Sequence, residues 1–353
     1  MKKKLAIYPF SEELMPILRH QNKIRNYELT YAIIPKGWES HDESRKQYMK
    51  YFCPEEKFYS ENIINSIDAI LLCKPVFQND LSMYIRITDL AEKYNKQIMY
   101  VYELEREITK QNKKHWVCLK PEQVDTPQNS ELFSIDVPVI MIFGLGENCE
   151  KWDVQLGLYD YFIQKGYNAS LISSNGISQI MGLHNFPSCL DSPELTFSQQ
   201  VKSLNAFIKK IELEEKPNLI ILGVPGGIIK YSPTVPTGYG YLPFLISNAT
   251  LPDISILSLY CGEYGAEHVK KIQSACFYRF SAKVNYFHIS KKVCNYDLET
   301  KQMNYYSVDN PYLTEKIIRP QENLPAFNIL DEQSREKVFE NIMKELQNNI
   351  AAV

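Results

Sequence analysis

The stretch Val137–Leu158, VPVIMIFGLGENCEKWDVQLGL, decides how the second half of the chain is read. An apolar run ends at Phe143. Glycines follow at 144 and 146, then Lys151, then a segment with Val154, Leu158, Tyr161 and Phe162 at helical spacing, closed by Gly166. A strand, a glycine turn, a lysine and a helix, in that order, form the layout of a phosphate-binding loop. Such a loop works because successive backbone N–H groups and a helix N-terminus face an anion. The position directly before the lysine normally carries glycine, which lets a phosphate approach the backbone; here it is Glu150. Trp152 and Asp153 stand where a magnesium-holding Ser or Thr would follow.

Glu150 puts bulk and negative charge at the point of phosphate approach. At about 4 Å and an effective dielectric of about 20, a glutamate repels a phosphate by roughly 4 kcal/mol per unit charge, about a thousandfold in affinity. Glu147, Glu150 and Asp153 lie three apart across a helix start, where the dipole favours carboxylates. Three readings follow. The loop is a capped helix start with Lys151 paired locally, or a pocket altered to take a cationic or amine-bearing ligand, or a nucleotide site that has kept its function.

Other loops are expected at the same sheet edge, since ligands of open α/β sheets bind beyond the carboxyl ends of strands. They are 173–179 (SSNGISQ), 223–231 (GVPGGIIKY) and 236–243 (PTGYGYLP). The candidate pocket residues are therefore Gly144, Gly146, Glu147, Asn148, Glu150, Lys151 and Asp153 from the first loop. Asn175, Gly176 and Gln179 come from the second, with His184 just after it, and Pro225, Gly226 and Gly227 from the third. Gly226 and Gly227 imply either close backbone approach or a turn with positive φ. The strand LIILGV ends in Gly223 and Val224, without the acid that a working NTPase places there for magnesium.

The remaining chain fits this α/β pattern. Residues 1–135 alternate strands (KLAIYP, YELTYAIIP, SIDAILLC, KQIMYVY) with helices (SEELMPILRHQNKI capped by Ser11, and DLSMYIRITDLAEKYN), with 39–57 as a polar loop and a linker near 125–136. Residues 136–353 restart the alternation, with NGISQIMG as a loop. They end in a hairpin, VCNYDLETKQMNYYSV, and an amphipathic helix capped by Asp331. A length of 353 residues suits two domains, 1–135 and 136–353.

Composition narrows the function classes. A net charge of −3 gives no basis for a nucleic-acid partner. No apolar run is long enough to span a membrane, and the apolar start Leu5–Tyr8 stops at Pro9, short of a secretory signal, so the cytoplasm is the expected compartment. The eight cysteines come no closer than 15 residues apart, and the six histidines form no ligand spacing, so no metal and no cofactor are expected. Cys149, at a helix start, is a candidate reactive thiol, although Glu147 and Glu150 oppose its ionisation.

The segments YPF (8–10) and LRH (18–20), VPVIMIFGLGENCEKWDVQL, MGLHNFP and KPNLIILGVPGGI together resemble a clostridial family of peptide maturation system proteins. That resemblance implies a role in producing a ribosomally made, modified peptide, with a precursor peptide and a radical-SAM maturase as partners. The second half is also similar to a family pairing a Rossmann-like with a P-loop-like domain and linked to N-acetylation of D-glutamate. Its loop has the spacing kept here by Gly144 and Lys151, while Glu150, Trp152 and Asp153 depart from it. The fold expected is thus two three-layer α/β domains, Rossmann-like and degenerate P-loop-like, with mainly parallel sheets, a C-terminal hairpin and a helix. The function expected is that of an accessory or binding protein. The alternatives are an acyl- or group-transfer enzyme acting on a peptide or amino acid, with Lys151, Cys149 or His184 taking part, and a residual nucleotide-binding protein.

Overall fold

The computed structural model describes residues 2–38, 43–74, 82–108, 116–128, 131–230, 239–297, 299, 302–318 and 324–351. By contacts the chain divides into two units: 1–121 with 176–183, and 122–175 with 184–353.

The first unit is a six-stranded sheet. Its strands are β1 (Lys3–Tyr8), β2 (Tyr27–Ile34), β3 (Phe52–Pro54), β4 (Ala69–Leu72), β5 (Gln97–Val101) and β6 (Val117–Leu119), in the order β3-β2-β1-β4-β5-β6. Every pairing is parallel. This is a doubly wound order, which reverses between β1 and β4. β4 is buried along its whole length, which is why it reads as an unbroken apolar run. Helix α1 (Ser82–Lys93) makes the crossover from β4 to β5.

Three local expectations are corrected here. Residues 43–51 wind as 3-10 helix, and Phe52–Pro54 pairs with β2 as an edge strand, so 39–57 is not simply a loop. A strand of three residues among polar neighbours leaves no periodicity to detect. The expected first helix breaks into 3-10 turns at Glu12–Leu14 and Gln21–Lys23 around a short helix at Met15–Arg19, and Ser11 makes no side-chain capping bond. Residues Gly176–Met181 form a 3-10 turn, not a loop, and belong to this unit.

The second unit holds a seven-stranded parallel sheet. Its strands are β7 (Val139–Gly144), β8 (Ala169–Ser173), β9 (His184–Asn185), β10 (Leu219–Gly223), β11 (Ile254–Leu259), β12 (Val284–Ile289) and β15 (Ala326–Phe327). Their order is β15-β12-β11-β7-β10-β8-β9. β13 (Lys292–Asp297) and β14 (Gln302–Ser307) form the expected antiparallel hairpin. The main helices are α2 (Lys151–Gln164), α3 (Phe197–Glu215), α4 (Tyr241–Ala249), α5 (Ala266–Phe280) and α6 (Glu332–Ala351). Asp331 caps α6, its carboxylate accepting from the Ser334 N–H at 3.0 Å. Residues 122–128 and 131–135 pack with this unit: Asn205 on α3 accepts from Phe133 N at 2.7 Å. The Glu212 carboxylate accepts from Asp136 N at 2.6 Å and Val137 N at 3.0 Å, fixing the chain where it enters β7.

β7 is fully buried and has β10 on one side and β11 on the other. The chain reaches β10 and β11 only after leaving β7 through α2 and β8. The loop after β7 therefore opens where connections diverge to both sides of the sheet, the position where open α/β sheets form a crevice.

Candidate functional site

Gly144 ends β7, and no other residue fits there. A Cβ would lie 2.5 Å from Lys151 Cδ and 2.7 Å from both Cys149 Sγ and Gly146 O. Two hydrogen bonds stitch the start of the loop to its neighbours: Leu145 N to Ser258 O of β11 at 2.8 Å, and Ile228 N to Gly144 O at 3.1 Å. Asn148 and Glu150 both adopt left-handed backbone, with φ of 53° and 59°. The turn that glycine would favour before the lysine is thus kept by a glutamate, at a cost of about 1–2 kcal/mol for an L-residue.

The side chains then depart from phosphate-loop behaviour. The Glu150 carboxylate turns to the β12–β13 junction, where Oε2 accepts from the Lys291 N–H at 3.0 Å. It is thus held by a backbone group of the protein. Lys151 is buried, with 7% exposure. Its Nζ donates to Val224 O at 3.2 Å and to Gly226 O. The lysine therefore bridges to the loop after β10, over 70 residues away, rather than pairing locally. Cys149 is fully buried, with Sγ on Gly146 O at 3.2 Å, and burial pushes its thiol up to about 11. That environment opposes a reactive thiolate.

The third loop closes over the first. Gly227 packs on Gly146, where a Cβ would be 2.6 Å from Gly146 Cα, and Gly226 has a φ of 76°. Of the two glycine roles, close approach belongs to Gly227 and positive φ to Gly226. Pro225 is half-buried before them. The Gly240 N–H donates to Gly227 O at 2.7 Å. Tyr231 of this loop and residues 236–238 of the PTGYGYLP loop lie outside the described residues.

Beneath the loop, Asp153 is 3% exposed and faces the fully buried His288. Burial pushes that imidazole down to about 3 against the opposing charge of Asp153. His288 Nδ1 lies 3.2 Å from Ser258 Oγ. Gln155, fully buried on α2, accepts from Ser174 N at 3.1 Å and donates to Ser174 Oγ at 2.8 Å. It also lies against Gly223, where any Cβ would be 2.1 Å from it.

Asn175 sits at the end of β8, its N–H on Ser173 Oγ at 3.2 Å. Gly176 and Gln179 belong to the first unit, where Gln179 Nε2 donates to Lys120 O at 2.6 Å. His184 on β9 is three strands from β7, or about 14 Å at the usual spacing. Its Nδ1 lies 2.9 Å from Glu122 and its Nε2 2.8 Å from Glu215. The structure thus gathers the candidates of 144–153 and 225–227 into one mouth and leaves His184 outside it.

Sequence reading missed a tyrosine wall. Tyr260 OH donates to Glu147 O, Tyr264 OH donates to Tyr260 O at 2.9 Å, and the Tyr260 and Tyr305 rings are 6.2 Å apart. The segment LYCGEYG (259–265) follows β11 directly, so the strand-end rule applied to that strand would have found Tyr260 and Tyr264. Tyr305, on the hairpin, carried no such signal. Among the described residues no group of three or more His, Cys, Asp or Glu is placed to hold a metal. No helix among them is long and apolar enough to cross a membrane.

No protein-family model matches the chain, and no curated protein matches it. Among solved structures, a DUF1611 family protein from Anabaena variabilis aligns over 97% of this chain and 100% of its own at a TM-score of 0.64 and 9% identity, a likeness of fold. The signal recognition particle receptor FtsY from Elizabethkingia anophelis aligns over 46% of this chain and 53% of its own, with a TM-score of 0.31 and 14% identity. A nucleotide-binding protein from Archaeoglobus fulgidus in complex with ADP aligns over 57% and 84%, with a TM-score of 0.32 and 10% identity.

Two outcomes are expected. Glu150→Ala and Glu150→Gly both lose the bond to Lys291, but only glycine relieves the left-handed backbone. Glu150→Gly is therefore more stable than Glu150→Ala by about 1 kcal/mol, read as a difference in urea unfolding free energy. The second concerns pH. Burial lowers the His184 pKa, but hydrogen bonds and charge from Glu122 and Glu215 outweigh it, and the net shift is upward. A raised folded value stabilises fully below the ordinary value of about 6.5, and that contribution is lost as pH rises through the folded value. His184→Gln should therefore cost more stability near pH 6 than near pH 9; equal costs at both would remove this account of His184.

Proposed function

We propose that the chain is an accessory binding protein in the maturation of a ribosomally made, modified peptide, acting in the cytoplasm with a precursor peptide and a radical-SAM maturase as partners. Its phosphate-type loop shapes a ligand mouth and does not turn over a nucleotide. The observation that carries this reading is the buried Lys151 ammonium, already hydrogen-bonded to Val224 O and Gly226 O. Turning it toward a phosphate would break two charge-assisted hydrogen bonds. At about 1.5–3 kcal/mol each, that is roughly a hundred- to ten-thousandfold in affinity. β10 also ends in Gly223, with Val224 next, so neither residue at its tip offers a carboxylate to hold magnesium. The peptide setting comes from the family resemblance of the sequence.

Group transfer needs an accessible, activated nucleophile or base. Cys149 is buried with a raised pKa, Lys151 is held by carbonyls, and His184 lies between two carboxylates outside the mouth. The geometry therefore favours binding over transfer.

The test is a pair of titrations on the purified protein. A ligand at 100 times its dissociation constant adds about 2.7 kcal/mol of stability, so nucleotide binding would be visible as a thermal shift. The expected result is no shift with millimolar ATP or GTP and magnesium, together with calorimetric binding of the cognate precursor or maturase at micromolar concentrations. A clear nucleotide shift, or no heat with either partner, would overturn the reading.

A further inference from the structure

The chain crosses between the two units at 121–122, 175–176 and 183–184. The first and last of these crossings run side by side. Before the boundary, Gln179 Nε2 donates to Lys120 O at 2.6 Å. After it, the Ser188 N–H donates to Glu122 O at 3.0 Å. Glu122 and His184 are the first residues past their crossings, and His184 Nδ1 lies 2.9 Å from Glu122 Oε1. The remaining crossing is fastened differently. Beside it, Gln155 accepts from Ser174 N at 3.1 Å, a bond with no titratable partner.

The clasp at His184 is built for an imidazolium. Its other ring nitrogen, Nε2, lies 2.8 Å from Glu215 Oε1 at the end of α3. Both nitrogens face carboxylates, so both bonds are made only when both nitrogens carry a proton. The charged groups that face the ring are Glu122 from the entry segment and Glu215 from α3. α3 also sets the Phe207 ring edge-on to it, 6.2 Å away. The neighbouring strand β8 carries no charged residue, and its Ser170 hydroxyl donates to Oε2 of Glu215. A neutral ring has one N–H. One nitrogen then presents a lone pair to a carboxylate, and that contact opens. Glu215 stays, held by its helix and by Ser170. Glu122, on an irregular segment, is the one released.

Burial favours the neutral ring, but hydrogen bonds and charge from the two glutamates outweigh it, and the His184 pKa is raised. The clasp is therefore fully set below about pH 6.5 and opens as pH rises through the raised folded value.

We propose that Glu122, His184 and Glu215 form a proton-operated latch on the paired crossings. With the imidazolium in place, the entry segment at Glu122 is tied to β9 and α3; when the ring is neutral, that segment gains freedom. The latch lies outside the mouth after β7 and works whatever that mouth binds.

The Ser188 amide reports the latch, because its acceptor is the Glu122 carbonyl. Its hydrogen exchange, corrected for the intrinsic rate, is measured on the full chain at pH 6 and pH 9. The Ser174 amide beside the remaining crossing is the reference. The expected result is Ser188 protection about three- to fivefold greater at pH 6, the size of a half-exposed ion pair, with Ser174 unchanged. In His184→Gln that pH difference disappears. In Glu122→Gln, which keeps the shape and loses the charge, it narrows. Equal protection of Ser188 at both pH values in the parent overturns the latch. So does the parent's ratio surviving in either variant, or Ser174 changing in step with Ser188.

Discussion

A buried ammonium on two backbone carbonyls holds the second unit's mouth in shape. An isolated charge in a protein interior is costly, so Lys151 must find partners, and it finds them on Val224 and Gly226 across the sheet edge. That single side chain ties the loop after β7 to the loop after β10. The left-handed turn at Glu150 starts α2 at Lys151 and sets its direction. The Glu150 carboxylate then fastens the same turn to the β12–β13 junction. One lysine and one glutamate therefore join the ends of three strands.

The glycines follow from this closure. Gly144 must leave room for Lys151 and Cys149, and Gly227 must let Gly146 approach. Gly144 keeps the glycine spacing of a phosphate-binding loop, but the space beside it is filled by Lys151 and Cys149. The loop keeps the backbone of an anion cradle, while Lys151 and Glu150 are answered by backbone groups of neighbouring loops. What remains open toward solvent is Glu147, of opposite sign to the lysine that would grip a phosphate.

Much of this fold is legible from the residues. β4, β7 and β10 are buried on both faces and read as continuous apolar runs, and the hairpin and α6 declare themselves through alternation and the Asp331 cap. β3 does not, because three residues at a sheet edge carry no period. The loop was identified from Gly144 and Lys151, and so were its companions Gly226 and Gly227. The destinations of Lys151 and Glu150 were not, because their partners are backbone groups at Val224, Gly226 and Lys291, whose identity as acceptor or donor does not depend on residue type. Local spacing places Glu150 at the point of phosphate approach; the fold adds a partner for its carboxylate, the Lys291 N–H. His184 follows its loop in sequence, yet β9 lies at the sheet's far edge, where Glu122 and Glu215 claim it.

The stability of Lys151→Met, measured without any ligand, tests most directly whether the lysine belongs to the fold or waits for a phosphate. If its ammonium serves Val224 and Gly226, the substitution leaves two carbonyls unanswered and lowers the unfolding free energy by about 2–4 kcal/mol. An unchanged or increased stability would contradict the account, since it would mean that Lys151 is held in reserve for an anion.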